Sequence, residues 1–339
     1  MNITVVLGGA SSERDVSLAS GFRVVDALRS VGHQVAALDP VSGVLSPSAE
    51  LALRAAGMKT EPPSLEELAR LGGTRRRELS PDVVMLPEVR EADVVFLGLH
   101  GGQGEDGTIQ AMLDAVGVPY TGSGHLASAL AMDKDLSKTL FRAAGVDTAD
   151  WMMAPATDPA VERELGYPVV VKPSKQGSTV GLTVVRERAA LQTAISTAYQ
   201  YDDEVMIERF VPGRELTVGV LGREALPVGE IFPKHEIYDY ECKYTTGMAR
   251  EEFPARLTPA QSATLQDQAL RAFGALKLSG CARIDFRLDP AGSIYCLEAN
   301  TLPGLTELSL IPQAAAVHGL AFVQLCERIV ELAMGGRSR

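Results

Sequence analysis

Two short segments near the C-terminal end carry the densest set of reactive side chains. In Ala282-Arg283-Ile284-Asp285-Phe286, Arg283 and Asp285 alternate with apolar residues, so both project from one face of an extended strand. Glu298 and Asn300 do the same in Tyr295-Cys296-Leu297-Glu298-Ala299-Asn300. Asp289-Pro290-Ala291-Gly292 reads as a hairpin turn that would bring all four onto a common face. Two carboxylates and an amide oxygen form a hard oxygen set suited to Mg²⁺, which keeps waters and substrate phosphates as its other ligands. Arg283 beside them would neutralise a developing oxyanion or a phosphoryl group. An exposed hairpin face carrying an Arg–Asp pair fits the same pattern.

Lys172 closes an apolar strand and leads into Pro173-Ser174-Lys175-Gln176-Gly177-Ser178-Thr179-Val180-Gly181. Backbone N–H groups and small hydroxyls on such a loop can surround phosphate oxygens, because glycine permits close approach. The G-K-[ST] of a strand–loop–helix phosphate motif is absent, and a glycine hairpin with solvated hydroxyls is the competing reading. After Asn300 the chain enters a Pro303-Gly304 turn that could aim N–H groups at a reacting oxygen. Near the start, Gly8-Gly9-Ala10-Ser11-Ser12-Glu13-Arg14 turns from a strand into a helix without the G-x-G-x-x-G order of a dinucleotide site. Glu13 there suits an ammonium group, or simply favourable charge at a helix N-terminus.

The elements that must position these groups follow from hydrophobic spacing. Ile3 to Leu7 and Gln34 to Leu38 read as buried strands flanking a helix marked by Val16, Ala19, Val24, Leu28 and Val31, a βαβ unit. Residues 40 to 90 are broken by prolines and predict loops with one short helix, and the Arg75-Arg76-Arg77 run reads as a solvated face. Asp93 to Leu99 is a second apolar strand that delivers His100 to its carboxyl end, where open α/β sheets bind ligands. Helices are predicted over 126–144, 187–200, 258–277 and 313–334, and strands over 169–172, 205–209, 216–221, 281–288 and 293–298. A polar loop is predicted from about 232 to 253.

The 339 residues, with 46% hydrophobic and 22% charged, suit two or three globular domains and exclude a disordered or disulfide-stapled chain. A net charge of -11 is the wrong sign for binding nucleic acid through the overall field, so any polyanion must be held by a local cluster of cations. No signal peptide and no run near the roughly 18 apolar residues of a membrane span is legible, which predicts a cytoplasmic protein with no membrane or nucleic-acid partner. Cys242, Cys281, Cys296 and Cys326 lack Cys-x-x-Cys spacing and read as reduced and mostly buried.

Taken in order, GGASSERDVS, LHGGQGEDGTIQ, PYTGSG, AMDK, VVKPSKQGSTVG, YDYECKY, ARIDF and LEANTLPGLTELSL make the chain resemble the D-alanine–D-alanine ligase family of the ATP-grasp superfamily. The likeness spans nearly the whole sequence and is weakest over 40–90. It implies an α/β protein, α+β in its ATP-binding part, with an ATP-grasp fold behind an N-terminal parallel-sheet domain. The implied divisions are 1–122 for the N-terminal domain, 123–207 for the central subdomain and 208–339 for the C-terminal subdomain with the metal site and substrate loop. The implied activity is ATP-dependent formation of D-alanyl-D-alanine through a D-alanyl phosphate, releasing ADP and phosphate, for peptidoglycan precursor synthesis. Lys134 and Lys172 would contact ATP phosphates, with Ser178 on the closing loop and Lys243 also near them, and Glu208 and Glu215 would hold the adenine side and the ribose. Asp285, Glu298 and Asn300 would bind magnesium, commonly two ions, with manganese as a substitute. Glu13, with His100 nearby, would receive the first D-alanine, and Ser178 and Tyr244 would hydrogen-bond with Glu13. Lys243, Ser309 and Leu310 would form the second subsite, while Arg283 and the Gly304 N–H would stabilise the tetrahedral intermediate. A homodimer through the N-terminal region is also implied.

Tyr244 favours the dipeptide ligase, since relatives that make D-alanyl-D-lactate carry histidine there. Leu308 departs from the pattern, standing where a polar or basic residue is expected. The nearest competing readings are another ATP-grasp carboxylate–amine ligase, a D-alanine–D-lactate ligase, or a nucleotide-binding regulator without turnover.

Overall fold

The computed structural model describes residues 1–57, 66, 79–245 and 247–335. The Arg75-Arg76-Arg77 run lies outside the described residues. Among the described residues, three sheets make up the frame. The first has the order β3-β2-β1-β4, from β1 (Asn2–Val6), β2 (Gln34–Asp39), β3 (Gly43–Val44) and β4 (Val94–Leu97). β1 runs parallel to β2 and β4, pairing Ile3 with Val35 and with Val94. β4 is buried at every position and β1 at all but its first, as expected when helices cover both faces of a parallel sheet. α1 (Arg14–Ser30) lays Val24, Val25 and Leu28 on this sheet. α2 follows at Pro47–Ala56, capped by the Ser46 hydroxyl.

The central sheet is antiparallel, ordered β5-β8-β6-β7: β5 (Trp151–Met153), β6 (Val169–Pro173), β7 (Thr183–Val185) and β8 (Val205–Arg209). The third is also antiparallel. Its path is β12-β11-β9-β13-β14, with β9 at Arg214–Leu221, β10 (Glu224–Ala225) beside it, β11 at Gly229–Pro233, β12 at Ala249–Glu252, β13 at Cys281–Leu288 and β14 at Ile294–Asn300. β13 ends in the alternation that leaves Arg283, Asp285 and Arg287 off the core while Ala282, Ile284 and Phe286 are fully buried.

Several predicted elements differ from the structure. The single helix over 126–144 is two, α3 (His125–Met132) and α4 (Lys134–Ala143). Asp133 separates them in extended geometry and caps α4 by accepting from the Leu136 N–H at 3.1 Å. That restart puts Lys134 in the first turn of α4. The closing helix is likewise split into α7 (Leu310–Val317) and α8 (Phe322–Gly335) by a turn containing Gly319 at φ 92°. The polar loop at 232–253 contains a five-residue helix, α5 (Tyr240–Tyr244), capped by Asp239, and returns along β12. Region 40–90 holds β3, α2, a 3₁₀ turn at Pro81–Met85 and a helical turn at Pro87–Arg90. The helix predicted over 187–200 opens with a 3₁₀ turn before Leu191–Ala198, and β5 was not predicted.

α6 (Pro259–Ala275) covers the third sheet with Leu265, Ala269 and Ala272. Its start is a capping box between Thr258 and Gln261. α8 contributes Leu325, Cys326, Ile329 and Val330 to the same core as Ile3, Val24 and Leu28, so the chain's last helix locks onto its first domain. No helix among the described residues is long and apolar enough to cross a membrane.

Candidate active site

The floor of the site is the β13–β14 hairpin. Register pairs Asp285 with Glu298 and Arg283 with Asn300, so the four polar side chains predicted to share a face do so. Arg283 donates to both oxygens of Asp285 at 2.8–3.1 Å, Thr217 donates to Asp285 Oδ1 at 2.7 Å, and Asn300 Nδ2 lies 3.1 Å from Asp285 Oδ2. Burial alone would lower the Arg283 pKa, but Asp285 and Glu298 keep it firmly protonated. Glu298 is 3.2 Å from Lys134 Nζ. Burial pushes the Glu298 carboxyl up, yet Lys134, Lys243, Lys172 and Arg283 together hold it at about 2. The ionised carboxylates and amide oxygen are hard donors with no sulfur or imidazole among them, a set that fits magnesium.

Above this floor, Lys172 at the end of β6 and Lys138 on α4 both bond the buried Glu208 carboxylate of β8, Lys172 at 2.7 Å. Burial raises the Glu208 pKa, and the two ammonium groups outweigh it and bring it to about 2. Lys138 is a site residue that sequence reasoning missed. Its signal was the four-residue spacing from Lys134, which puts both lysines on one face of α4. Glu215 on β9 lies across from Arg287 on β13 and bonds it at 3.0 Å.

The loop after β6 folds over both. Lys134 Nζ donates to the Gln176 carbonyl at 2.8 Å, and Lys175 is tied to Asp202 and Asp203. Ser178 and Thr179 take left-handed φ values of 49° and 60°, and the Ser178 hydroxyl donates to Glu13. A β-carbon on Gly177 would stand 2.9 Å from Glu13 Oε2, so any larger residue here would displace the Glu13 carboxylate. Glu13 is itself held at the head of α1, where the buried Arg14–Asp39 pair at 2.7 Å pins the Gly8-Gly9 turn. The Tyr244 side chain, expected at Glu13, lies outside the described residues.

His100, beyond β4, is fully enclosed. Its Nδ1 faces the Leu302 carbonyl at 2.8 Å, which can only accept, so that nitrogen carries the proton. Nε2 then accepts from the Ser20 hydroxyl at 3.2 Å, and Ser20 in turn accepts from the Leu305 N–H at 3.1 Å. Burial lowers the His100 pKa despite Glu13 nearby, keeping the ring neutral. Glu105, a second residue not anticipated, receives the Gly101 and Leu302 N–H groups at 3.1 and 3.3 Å, and burial with the Glu13 charge raises its pKa to about 7. Ser309 stands at the N-cap position of α7, with Leu310 as the first helical residue, but its hydroxyl bonds Thr306 and makes no capping hydrogen bond. A β-carbon on Gly304 would come 2.8 Å from Ser309 Oγ, so a larger residue here too would displace its neighbour.

These residues line two adjoining cavities. One, of about 830 Å³, is bounded by Glu13, His100, Arg283, Gly304, Ser309 and Leu308. The other is lined by Lys134, Lys172, Lys243, Glu208, Glu215 and Asp285 together with the apolar Val170, Phe210, Ile231 and Leu297. Lys134, Ser178, Lys243, Arg283 and Glu298 border both. A polar pocket thus meets an amphipathic slot at a wall that carries Lys134, Lys243 and Arg283.

An antiparallel sheet pair gripping such a slot, behind a parallel-sheet domain, is the ATP-grasp architecture of a ligase. The profile for "D-ala D-ala ligase N-terminus" matches residues 2–123, and that for "D-ala D-ala ligase C-terminus" matches 135–331. A D-alanine--D-alanine ligase of Synechococcus sp. (strain JA-2-3B'a(2-13)) is 40% identical over 341 residues, covering 98% of this chain and 93% of the relative. That of Anaeromyxobacter sp. (strain Fw109-5) is 41% identical over 334 residues, covering 97% and 96%. The solved D-alanine--D-alanine ligase of Bacillus anthracis complexed with ATP superposes with a TM-score of 0.76 at 28% identity, covering 99% of this chain and 98% of that one. The chain belongs to the D-alanine–D-alanine ligase family.

Proposed function

We propose that the protein joins two D-alanine molecules at the cost of one ATP, with the roles assigned above to its residues. The observation that carries this reading is the wall common to the two cavities, where Lys134, Lys243 and Arg283 stand between a pocket for amino acids and a slot for a nucleotide. A carboxylate is a poor acylating agent, so the first D-alanine attacks the γ-phosphorus of ATP, forming an acyl C–O–P linkage and releasing ADP. Two anions must meet, and a pair of unit charges 4 Å apart repels by about 4 kcal/mol even at an effective dielectric near 20. The shared cations offset that repulsion. The free amine of the second D-alanine then attacks the activated carbonyl carbon, losing a proton as the C–N bond forms and phosphate leaves.

Asp285, Glu298 and Asn300 would hold magnesium, which when bound supplies charge neutralisation at the phosphates. Lys172 and Lys134 orient the phosphates and Glu215 faces the sugar, whereas Glu208, expected on the adenine side with Glu215, has both carboxylate oxygens engaged by Lys138 and Lys172 and acts by holding them. Glu13 receives the first ammonium, with His100 shaping its pocket. The head of α7 at Ser309 and Leu310 offers N–H groups to the second carboxylate, with Lys243 beside them. Arg283 and the Gly304 N–H face the oxyanion. Ser178, bonded to Glu13, shuts the phosphate loop against water, which would hydrolyse the acyl phosphate. Tyr244, by its identity in the sequence, favours an amine acceptor. A cytoplasmic homodimer belongs to the same reading and is checked by light scattering.

Phosphate release with Mg-ATP and a panel of D-amino and D-hydroxy acids, with identification of the product, tests the proposal. Release dependent on D-alanine and yielding its dipeptide supports it. A depsipeptide product, or turnover only with an unrelated acid, would replace it with one of the sibling ligases.

A further inference from the structure

The segment between β11 and β12 holds a second cluster of donor atoms that the ligation does not use. Asp239 Oδ1 accepts from the Cys242 N–H at 2.9 Å, and Oδ2 lies 2.7 Å from His235 Nδ1. One ligand atom from each of His235, Asp239 and Cys242 lies within 4.8 Å of the other two. Tetrahedral zinc with bonds of about 2.0–2.3 Å sets its ligand atoms about 3.3–3.8 Å apart, so the 2.7 Å His235–Asp239 contact opens on binding, and the 4.8 Å limit on the cluster is within side-chain reach of that geometry. An imidazole nitrogen, a sulfur and one carboxylate suit zinc and disfavour magnesium, the opposite of the all-oxygen set at Asp285. Cys242 has no disulfide partner and is buried beside Ile231, Tyr238 and Leu310, while His235 is exposed and leaves a way in. The Glu241 carboxylate, 3.9 Å from His235 Nε2, stands at the open side.

We propose that His235, Asp239 and Cys242 bind a zinc-class divalent cation that clamps the substrate loop shut. On binding, the Cys242 thiol releases its proton to solvent and the metal replaces the His235–Asp239 hydrogen bond. The clamp's first ligand lies just past β11, and its last adjoins Lys243, which borders both cavities, and packs on Leu310. The metal would cross-link the stretch from just past β11 to the residue before Lys243, so that stretch moves more slowly, and turnover falls with it. The binding stands apart from the ligase reading, whereas its effect on turnover rests on that reading.

The test titrates the full chain with Co²⁺ in saturating Mg²⁺. A thiolate-to-cobalt charge-transfer band is expected to saturate at one equivalent, to vanish in Cys242→Ser, and to need at least about 10-fold more metal in His235→Asn. His235 is exposed, so its variant keeps the test alive if Cys242→Ser does not fold. In the phosphate-release assay Zn²⁺ lowers kcat of the unaltered protein and leaves both variants at least about 10-fold less sensitive. A missing band, or one that survives both variants because it arises at Cys281, Cys296 or Cys326, overturns the site. A band with unchanged kcat overturns the clamp. A band in a protein that makes no dipeptide upholds the site and refutes the ligase reading instead.

Discussion

Lys138→Met isolates the electrostatics beneath the phosphate site. The Lys138 ammonium is fully buried and bonds Glu208 and, at 2.5 Å, Thr148. Burial raises the Glu208 pKa, and Lys138 and Lys172 more than reverse this, moving it from 4.5 to about 2. The depression makes ionised Glu208 a contributor to folding stability, set against the cost of burying Lys138, whose own pKa burial lowers. Because the folded pKa is the lower one, that contribution is complete above pH 4.5 and drains away as pH falls toward 2. Methionine keeps the length of the side chain without its charge and leaves Glu208 with Lys172 alone. Removing one partner of a buried ion pair costs about 3–5 kcal/mol, and the surviving lysine places the expected loss at about 3. Urea denaturation at pH 7, 5 and 3 reads it: the gap between unaltered and variant protein should be full at pH 7 and shrink by pH 3. The Glu208→Gln and double variants complete a cycle in which the double loses less than the sum of the singles. A gap that stays constant with pH, or strictly additive losses, would refute the reasoning.

Glu298→Ala should lower phosphate release by at least about 100-fold with an unchanged circular-dichroism spectrum, and near-normal turnover contradicts its role. Lys172→Ala should raise the KM for ATP or depress kcat by about 10-fold or more, as steady-state kinetics will register. Gly177→Ala sets a methyl 2.9 Å from Glu13 Oε2 and should cost about 10-fold in kcat/KM for D-alanine while the KM for ATP holds. Glu105 has a raised pKa of about 7, so its contribution is present below 4.5 and lost as pH rises through 7. Thermal melts should therefore decline from about pH 5 to pH 7 and level off above, and Glu105→Gln should flatten that decline.

The hairpin floor was legible because strand alternation is strict and local: Arg283, Asp285, Glu298 and Asn300 needed only period two and one turn. The strands at 3–7 and 205–209 were legible through continuous apolar runs. Helix interruption was not, since Asp133 and Gly319 sit inside patterns whose apolar spacing continues past them, and only a capping contact or a positive φ reveals the break. Lys138 and Glu105 escaped notice for a different reason. Their importance comes from complete burial against groups 70 and 197 residues away, Glu208 and the Leu302 N–H, and burial is a tertiary property. The contents of 232–253 were obscured by polarity, which marks a loop without showing that Asp239 caps a turn of helix inside it.

Ser178 and Thr179 both occupy the left-handed region without being glycine, at about 1–2 kcal/mol each. A hydrogen bond to a charged group such as Glu13 returns about 1.5–3 kcal/mol, so the shut loop is a loaded spring on a catch of nearly equal strength. Little net energy separates shut from sprung. Breaking the Ser178–Glu13 hydrogen bond therefore frees the loop at small net cost.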